Sequence, residues 1–376
     1  MGMGVRWTGY GVAALAIAGS AGFAACGGGA DRYDDRDITV RPQPKEDAGV
    51  PPPGGGGKPS AACPALTVTD DLHGVFAVAA NDVWAVGNAG TVLHYDGCWR
   101  AEPKATAVDL DTVWAAADGT VWAGGASATT LRRSGGTWSV FTTPGTSTVR
   151  GIFATAPDVW AAAEEGAVYR WDGAAWQLAH ANTTPGSYDA VWGAAPNDVW
   201  VVGNGREPDG DYTAFHAHWD GAAWTESYSC NPEGSRYAAG GWVARIDDIW
   251  GLDAATVWNA GECDPGGGFI RRARIERLIG GAWSEVDLGM MLADNRPLDS
   301  IWASSVSDVW ASSRGNPDER QGPSMLHFDG VSWTASSDPV TDGIRRIRGT
   351  GARDVWGVGL GGKRVHFDGA TWTPSP

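Results

Sequence analysis

Asp354-Val355-Trp356-Gly357-Val358-Gly359, followed by His366-Phe367-Asp368-Gly369-Ala370-Thr371-Trp372, stands near the C-terminal end of the chain. Almost the same phrase occurs 272 residues earlier, as Val83-Trp84-Ala85-Val86-Gly87 and then His94-Tyr95-Asp96-Gly97-Cys98-Trp99. Between these copies the Val-Trp pair returns at Trp122, Trp160, Trp200, Trp258 and Trp310. A closing tryptophan follows each, at Trp138, Trp176, Trp224, Trp283 and Trp333. Seven or eight residues before each Val-Trp stands a third marker: Phe76, Trp114, Phe153, Trp192, Trp250 and Trp302, with Arg348 in the seventh copy. Three markers recurring seven times in fixed order define an internal repeat, and a repeat of about forty residues decides the fold.

Each unit reads as four short strands. Segments such as Gly74 to Val78 form the first strand, and Asp82-Val83-Trp84 begins the second. Thr91 to Tyr95 is the third, and Asp96-Gly97 turns the chain into the fourth at Trp99. Asp-Gly or Gly-Gly supplies the positive-φ residues of a tight hairpin. Asn81-Asp82, Asn197-Asp198 and Ser307-Asp308 mark the turn from first to second strand. Four strands per unit and seven units predict an all-β protein, a seven-bladed β-propeller of four-stranded blades. The repeats fall at about 71–107, 108–146, 147–185, 186–243, 244–295, 296–340 and 341–376. An open β-solenoid is the competing arrangement, but its rungs are shorter than these repeats.

At these residues the chain resembles the Trp-rich repeat lipoproteins of bacteria and, more distantly, the Asp-box (BNR-like) propellers. The second resemblance rests on Asp172-Gly173-Ala174-Ala175-Trp176, Asp220-Gly221-Ala222-Ala223-Trp224 and Asp368-Gly369-Ala370-Thr371-Trp372. It implies a hairpin rather than a chemistry, and fold alone does not give function. Trp171-Asp172 and Trp219-Asp220 sit at the hairpin and lack a Gly-His partner, unlike WD repeats.

Residues 1–25 read as a signal peptide, with Arg6 as the positive region and Gly11 to Ala25 as a short apolar run. Phe23-Ala24-Ala25-Cys26, followed by three glycines, resembles a bacterial lipobox and implies lipidation of Cys26. Residues 26–62 then form a Pro/Gly-rich linker with little to bury, and the propeller occupies 63–376. The implied place is the bacterial cell envelope, at the outer membrane or cell surface. Leu66-Thr67-Val68-Thr69 reads as an extra strand that pairs with the seventh blade. Export puts the remaining cysteines in an oxidising compartment, where an even set suggests two disulfides. Cys230 and Cys263 fall on one face of neighbouring blades, which leaves Cys63 and Cys98 as the other pair. No cysteine lies at zinc-ligand spacing, and no cofactor motif is present, so neither metal nor cofactor is expected. A formal net charge of −16 disfavours nucleic acid as a partner.

The slot two before each hairpin holds His94, Arg132, Arg170, His218, Arg277, His327 and His366. Antiparallel pairing sets these cations beside Asp82, Asp158, Asp198, Asp308 and Asp354, which reads as structural cross-strand pairing rather than a site.

Loop length carries the functional signal. From Val-Trp to the hairpin the distances are 12, 12, 12, 20, 21, 19 and 12 residues, so blades four to six carry insertions between second and third strands. The link from Trp224 to Trp250 is also long. Both kinds of segment share one face of an up-and-down blade, and long loops on a rigid scaffold are where binding resides. Candidate ligand-binding residues there are Arg206, Asp209, Asp211, Tyr212, Arg236, Tyr237, Trp242, Arg271, Arg272, Arg314 and Arg320, and the insertions also contain Arg245, Arg274, Asp318 and Glu319. Their composition suits recognition of a protein or glycan by a monomeric, non-enzymatic module. The alternative is a glycan-active hydrolase or lyase using Asp209, Asp211, Glu233 or Glu319 as acid and base. Asp209-Gly210-Asp211 lacks the rest of a calcium loop and reads as a solvated turn.

Overall fold

A computed structural model describes residues 63–183, 186–206, 212–229, 244–263, 272–289, 297–313, 324–336 and 338–376. Its twenty-eight strands, β1 to β28 in chain order, form seven four-stranded sheets, each built from consecutive strands. Every pairing is antiparallel, so the protein is a seven-bladed β-propeller of up-and-down blades. No helix among the described residues is long and apolar enough to cross a membrane.

Two of the three markers share a single row with the His or Arg slot in every blade, and the closing tryptophan pairs one position further on. Phe76, Trp84 and His94 are register partners across three strands of the first blade. Trp192, Trp200 and His218 repeat this in the fourth blade, and Arg348, Trp356 and His366 in the seventh. Register partners point to the same side of a sheet, so the three side chains lie against one another. His94 stacks on Trp84 at 3.9 Å and His327 on Trp310 at 3.8 Å. Arg170 replaces the imidazole with a guanidinium 5.4 Å from the Trp160 ring. The expected cation–carboxylate pairs form at Asp82–His94, Asp158–Arg170, Asp198–His218, Asp308–His327 and Asp354–His366, at 2.6–2.9 Å.

The same tryptophans join neighbouring blades. Trp84 meets Trp138 of the second blade edge-on at 6.2 Å, and Trp122 meets Trp176 of the third at 5.5 Å. Trp160–Trp224, Trp200–Trp283 and Trp310–Trp372 continue the series. Trp356 of the last blade meets Trp99 of the first at 5.8 Å and 82°.

The last of these contacts closes the ring, and it corrects one expectation. Residues 64–69 are not a strand, and the seventh sheet is complete without them, from β25 (Ile344–Gly351) to β28 (Trp372–Pro374). Leu66 and Val68 instead pack as side chains against the seam cluster of Leu72, Trp99, Trp356 and Val358. Arg364 donates to the Leu66 carbonyl at 3.2 Å, and the Trp99 indole donates to Ser375 at 2.9 Å. Burying apolar side chains anchors the segment without a ladder, and proline at 374 could not donate to one. Cys63 is bonded to Cys98, as expected, which fastens the segment to the hairpin of the first blade.

Trp356→Ala opens the seam and should lower unfolding stability by about 3–5 kcal/mol, as large-to-small aromatic replacements in cores do. Cys98→Ser removes a closure over 35 residues, with a cost of about 4 kcal/mol on the chain-entropy model. Urea unfolding followed by tryptophan fluorescence measures both.

Candidate binding site at the mouth of the central channel

The channel is lined by the innermost strand of each blade: β1 (Leu72–Ala79), β5 (Leu110–Ala115), β9 (Val149–Thr155), β13 (Gly186–Ala195), β17 (Ala244–Asp253), β21 (Ser300–Ser305) and β25. Three residues before each marker stands His73, Asp111, Arg150, Asp189, Asp247, Asp299 and Arg345. Each follows a buried anchor: Leu72, Leu110, Val149, Tyr188, Ile246, Leu298 or Ile344. In six blades the ladder skips this residue, which is therefore a β-bulge; in the sixth blade Asp299 lies just before β21. A bulge adds one residue opposite none and re-aims its side chain. Here all seven line one cavity of about 370 Å³.

In five blades the glycine of the Val-Trp-x-x-Gly phrase lets the facing backbone come close at the start of the innermost strand, while the third blade bulges at Arg150 with Ala163 in that slot. A Cβ on Gly87, Gly125, Gly203, Gly261 or Gly359 would stand 1.9–2.0 Å from a backbone carbonyl at the start of the facing strand. Only glycine permits that approach.

Asn88, Ala126, Asp109 and Thr148 also line the cavity and belong to second-to-third turns and blade-to-blade links. The cavity therefore opens on the face where the insertions lie. Below it the channel narrows to a space of about 40 Å³ among Phe76, Phe153, Trp192 and Trp250. Arg348, the exception among the markers, fills this neck. Its guanidinium lies 4.9 Å from the Trp250 ring and makes two 2.9 Å bonds to Asp248.

Charge is unevenly distributed round the ring. Arg345 donates to His73 at 2.7 Å, joining the seventh and first blades. Arg150 pairs with Asp111 at 3.4 Å and with Glu164, joining the second and third. Blades four, five and six contribute Asp189, Asp247 and Asp299 in succession, and all three are buried. Ser187 and Asn204 donate to Asp189, and Arg245 pairs with Asp247.

Burial raises Asp189 and Asp111 above the usual carboxylate range, against the pull of Arg245 and Arg150. Asp247 goes further. Burial first, then the charges of Asp299, Asp189 and Glu262, push it to about 8 despite Arg245. The next residue behaves oppositely: burial would raise Asp248, but Arg346 and Arg348 outweigh it and hold the group at about 2.

The insertions rise from this rim. In the fourth blade β14 (Asp198–Arg206) and β15 (Tyr212–Trp219) extend their ladder until Arg206 faces Tyr212. In the fifth, β18 (Thr256–Cys263) and β19 (Arg272–Ile279) extend until Cys263 faces Arg272, which is exposed. A buried cluster ties the two ladders together. Glu276 accepts from Ser229 at 2.7 Å, Arg274 at 2.6 Å and Asn259 at 3.0 Å, with His216 at 3.2 Å.

Arg245 lies on an innermost strand rather than in a loop, and lines the mouth. Asp209, Asp211, Arg236, Tyr237, Trp242, Arg271, Arg314, Arg320, Glu233, Asp318, Glu319, Cys26 and Cys230 lie outside the described residues. Cys263 is disulfide-bonded. The seven-membered ring escaped the reading of the sequence. Its signal was present, an ionisable residue at a constant offset from the marker, masked because the residue type changes from blade to blade.

No family model matches the chain, and no curated protein matches it by sequence. Solved structures do. YCF48 from Cyanidioschyzon merolae aligns at 18% identity with TM-score 0.54, covering 81% of this chain and 97% of that one. A second structure, YCF48 bound to D1 peptide, aligns at 15% identity and TM-score 0.55, over 80% of this chain and 93% of that one. The GH74 xyloglucanase from Xanthomonas campestris aligns at 13% identity and TM-score 0.55, over 82% of this chain but 53% of that one. These likenesses place the protein among β-propellers and establish the fold alone.

The two neighbouring aspartates set opposite pH dependences. Asp247 has a folded value above its ordinary 3.8. Its contribution is therefore complete below that pH and is lost as pH rises through about 8. Asp248, lowered, contributes above 3.8 and loses its contribution as pH falls through about 2. Asp247→Asn should accordingly gain stability relative to wild type as pH climbs from 5 to 9, measured by urea unfolding at each pH. A difference that is flat with pH overturns the assignment.

Proposed function

We propose that this protein is a non-enzymatic recognition module of the bacterial cell envelope, anchored through a lipid on Cys26, and that it binds a polypeptide on its loop-rich face. The observation that carries the reading is the opening of the ionisable ring on the face from which the inserted loops of blades four to six rise. Long loops carried on a rigid scaffold are the usual construction of a recognition surface.

A polypeptide is preferred to a glycan because none of the described tryptophans is exposed. Sugar recognition draws on open aromatic faces, and these indoles are engaged with one another. One neighbouring propeller is recorded with a bound peptide, which accords with this choice. The Trp-rich lipoprotein resemblance and the lipobox at Cys26 support placement at the envelope, and a bond from Cys263 to Cys230 would staple the loops.

Two measurements test the reading. Cys26→Ser should move the protein from the membrane to the soluble fraction. A photo-reactive phenylalanine at Pro339, in the link between sixth and seventh blades, should yield a discrete polypeptide adduct in intact cells. The same group at Val331, on the opposite hairpin face of the sixth blade and 88% exposed, should yield none. Equal labelling from both positions overturns the loop-face assignment.

A further inference from the structure

We propose that the hairpin face of blades five and six rests on the lipid surface to which the chain is anchored, with Leu252, Ile279, Val306 and Val331 entering the headgroup layer and Arg277 meeting lipid phosphate. The inference rests on the anchor proposed at Cys26 and gives the anchored protein an orientation, loop face outward.

Exposed aliphatic side chains are concentrated there. Among the described residues seven large apolar side chains are exposed. Val140, Leu178 and Tyr228 stand on the outermost strands of three different blades, β8 (Thr137–Thr142), β12 (Trp176–Ala181) and β16 (Trp224–Ser229). The other four all belong to the hairpin face of two neighbouring blades. Leu252 and Val306 lie at the first-to-second turns of blades five and six, Ile279 and Val331 at their third-to-fourth hairpins. The repeat does not ask for them. Ile279 stands where Asp96, Asp172, Asp220, Asp329 and Asp368 stand in other blades, and Val331 where Ala174, Ala222 and Ala370 do. Holding aliphatic tips in water is costly, and a patch this localised marks a contact surface.

Charge at the same edge identifies the contact. In five blades the cation slot pairs with an aspartate that opens the second strand. Blade five has Thr256 at that position, and among the described residues no ion pair engages Arg277. Its guanidinium lies 5.3 Å from the Trp258 ring, and its buried Nε has no acceptor. The acids of these turns are committed elsewhere. Asp253 accepts from the Ala255 amide, Asp329 from those of Val331 and Ser332, and Asp308 pairs with His327. Blade two has the same exchange, Thr120 with Arg132, but there Asp118 feels the Arg132 charge and no exposed aliphatic residue stands in the turns. Only blade five joins a guanidinium lacking a carboxylate to aliphatic tips. Arginine matches phosphate geometry, and apolar tips partition into the boundary between headgroups and acyl chains.

The tether leaves from this face too. Cys98 lies in the third-to-fourth hairpin of the first blade, and its bond fixes Cys63 there. Cys26 precedes Cys63 by 37 residues. A lipid on it therefore holds the face over the bilayer at an effective concentration on the order of millimolar. At that concentration a weak contact is enough. The hairpin acids Asp96, Asp172, Asp220 and Asp368 are repelled by an anionic surface, so contact falls to blades five and six.

The test uses the mature protein purified from its membrane and placed in vesicles of phosphatidylethanolamine and phosphatidylglycerol. An environment-sensitive naphthyl amino acid replaces Val331 on the hairpin face or Pro339 on the loop face. With the label at 331, emission should shift to the blue and be quenched several-fold by phospholipid spin-labelled near its headgroup. At 339 neither should occur. Thr256→Asp and Ile279→Asp install residues that other blades carry, so both should keep the wild-type unfolding midpoint yet lose most of the quenching. Thr120→Asp, the same exchange in blade two, should change nothing. Flotation of the vesicles reports the anchor separately. A chain that does not float overturns the anchor and the inference together. A floating chain that is unquenched at 331, or quenched equally at 331 and 339, overturns the inference and leaves the anchor standing. Unchanged quenching in both folded Asp variants overturns it as well. Loss of contact on adding inorganic phosphate does the same and assigns Arg277 to a soluble anion. A polypeptide adduct at 331 in intact cells overturns it in favour of a protein partner.

Discussion

An indole edge set against an indole face, once at nearly every junction between blades, is the contact on which this fold depends. A four-stranded blade cannot bury both its faces alone, and neighbours must supply the cover. The second-strand tryptophan of one blade takes as its partner the fourth-strand tryptophan of the next, with ring planes 70–90° apart at six junctions. At the seventh, Trp258 and Trp333 share one core cluster. Each such contact adds about 0.5–1.5 kcal/mol beyond the area it buries. Because every blade both gives and receives, the series has no unsatisfied end. The seam between last and first blades is an ordinary junction, which explains why no strand is borrowed to close it.

The same row that builds the junctions fixes the channel. Register runs from the His or Arg of the third strand, through the tryptophan, to the marker on the innermost strand. Three residues further towards the mouth comes the bulge, faced in five blades by a glycine on the neighbouring strand. Structure and site are thus coupled through a single phrase of sequence. Its tryptophan fastens the blade, and the bulge opposite its end turns an ionisable side chain into the cavity. In this sense the ring at the mouth is supported by backbone that the repeat itself dictates, while the identity of each ring residue stays free to vary.

This division explains what could be read beforehand. The blades were legible because their markers are large, aromatic in all but Arg348 and invariant in order, and the cation–carboxylate pairs because each partner keeps a fixed offset from its own marker. The Cys63–Cys98 bond followed from cysteine count and face. The ring was harder. His73, Asp111, Arg150 and Asp189 share a position but neither charge nor size, so their likeness is one of register, which a bulge disguises. Arg245 drew notice as a loop residue and proved to line the mouth. Leu66 to Thr69 looked like a strand because alternating apolar residues suit any half-buried extended segment, whether or not a ladder receives it.

The bond between Cys63 and Cys98 has a mechanical meaning. The segment from Leu66 to Val68 lies along the seam of the seventh and first blades and is held there by apolar packing and a hydrogen bond from Arg364. Tension applied at its N-terminal end would peel such a segment away one contact at a time and open the ring where it is closed. With Cys63 covalently joined to the hairpin between β3 (Thr91–Tyr95) and β4 (Trp99–Ala101), the load bypasses the seam. It enters the first blade as shear along a paired hairpin, where several hydrogen bonds must fail together. A propeller hung by its N-terminus is thereby protected at the junction most exposed to the pull.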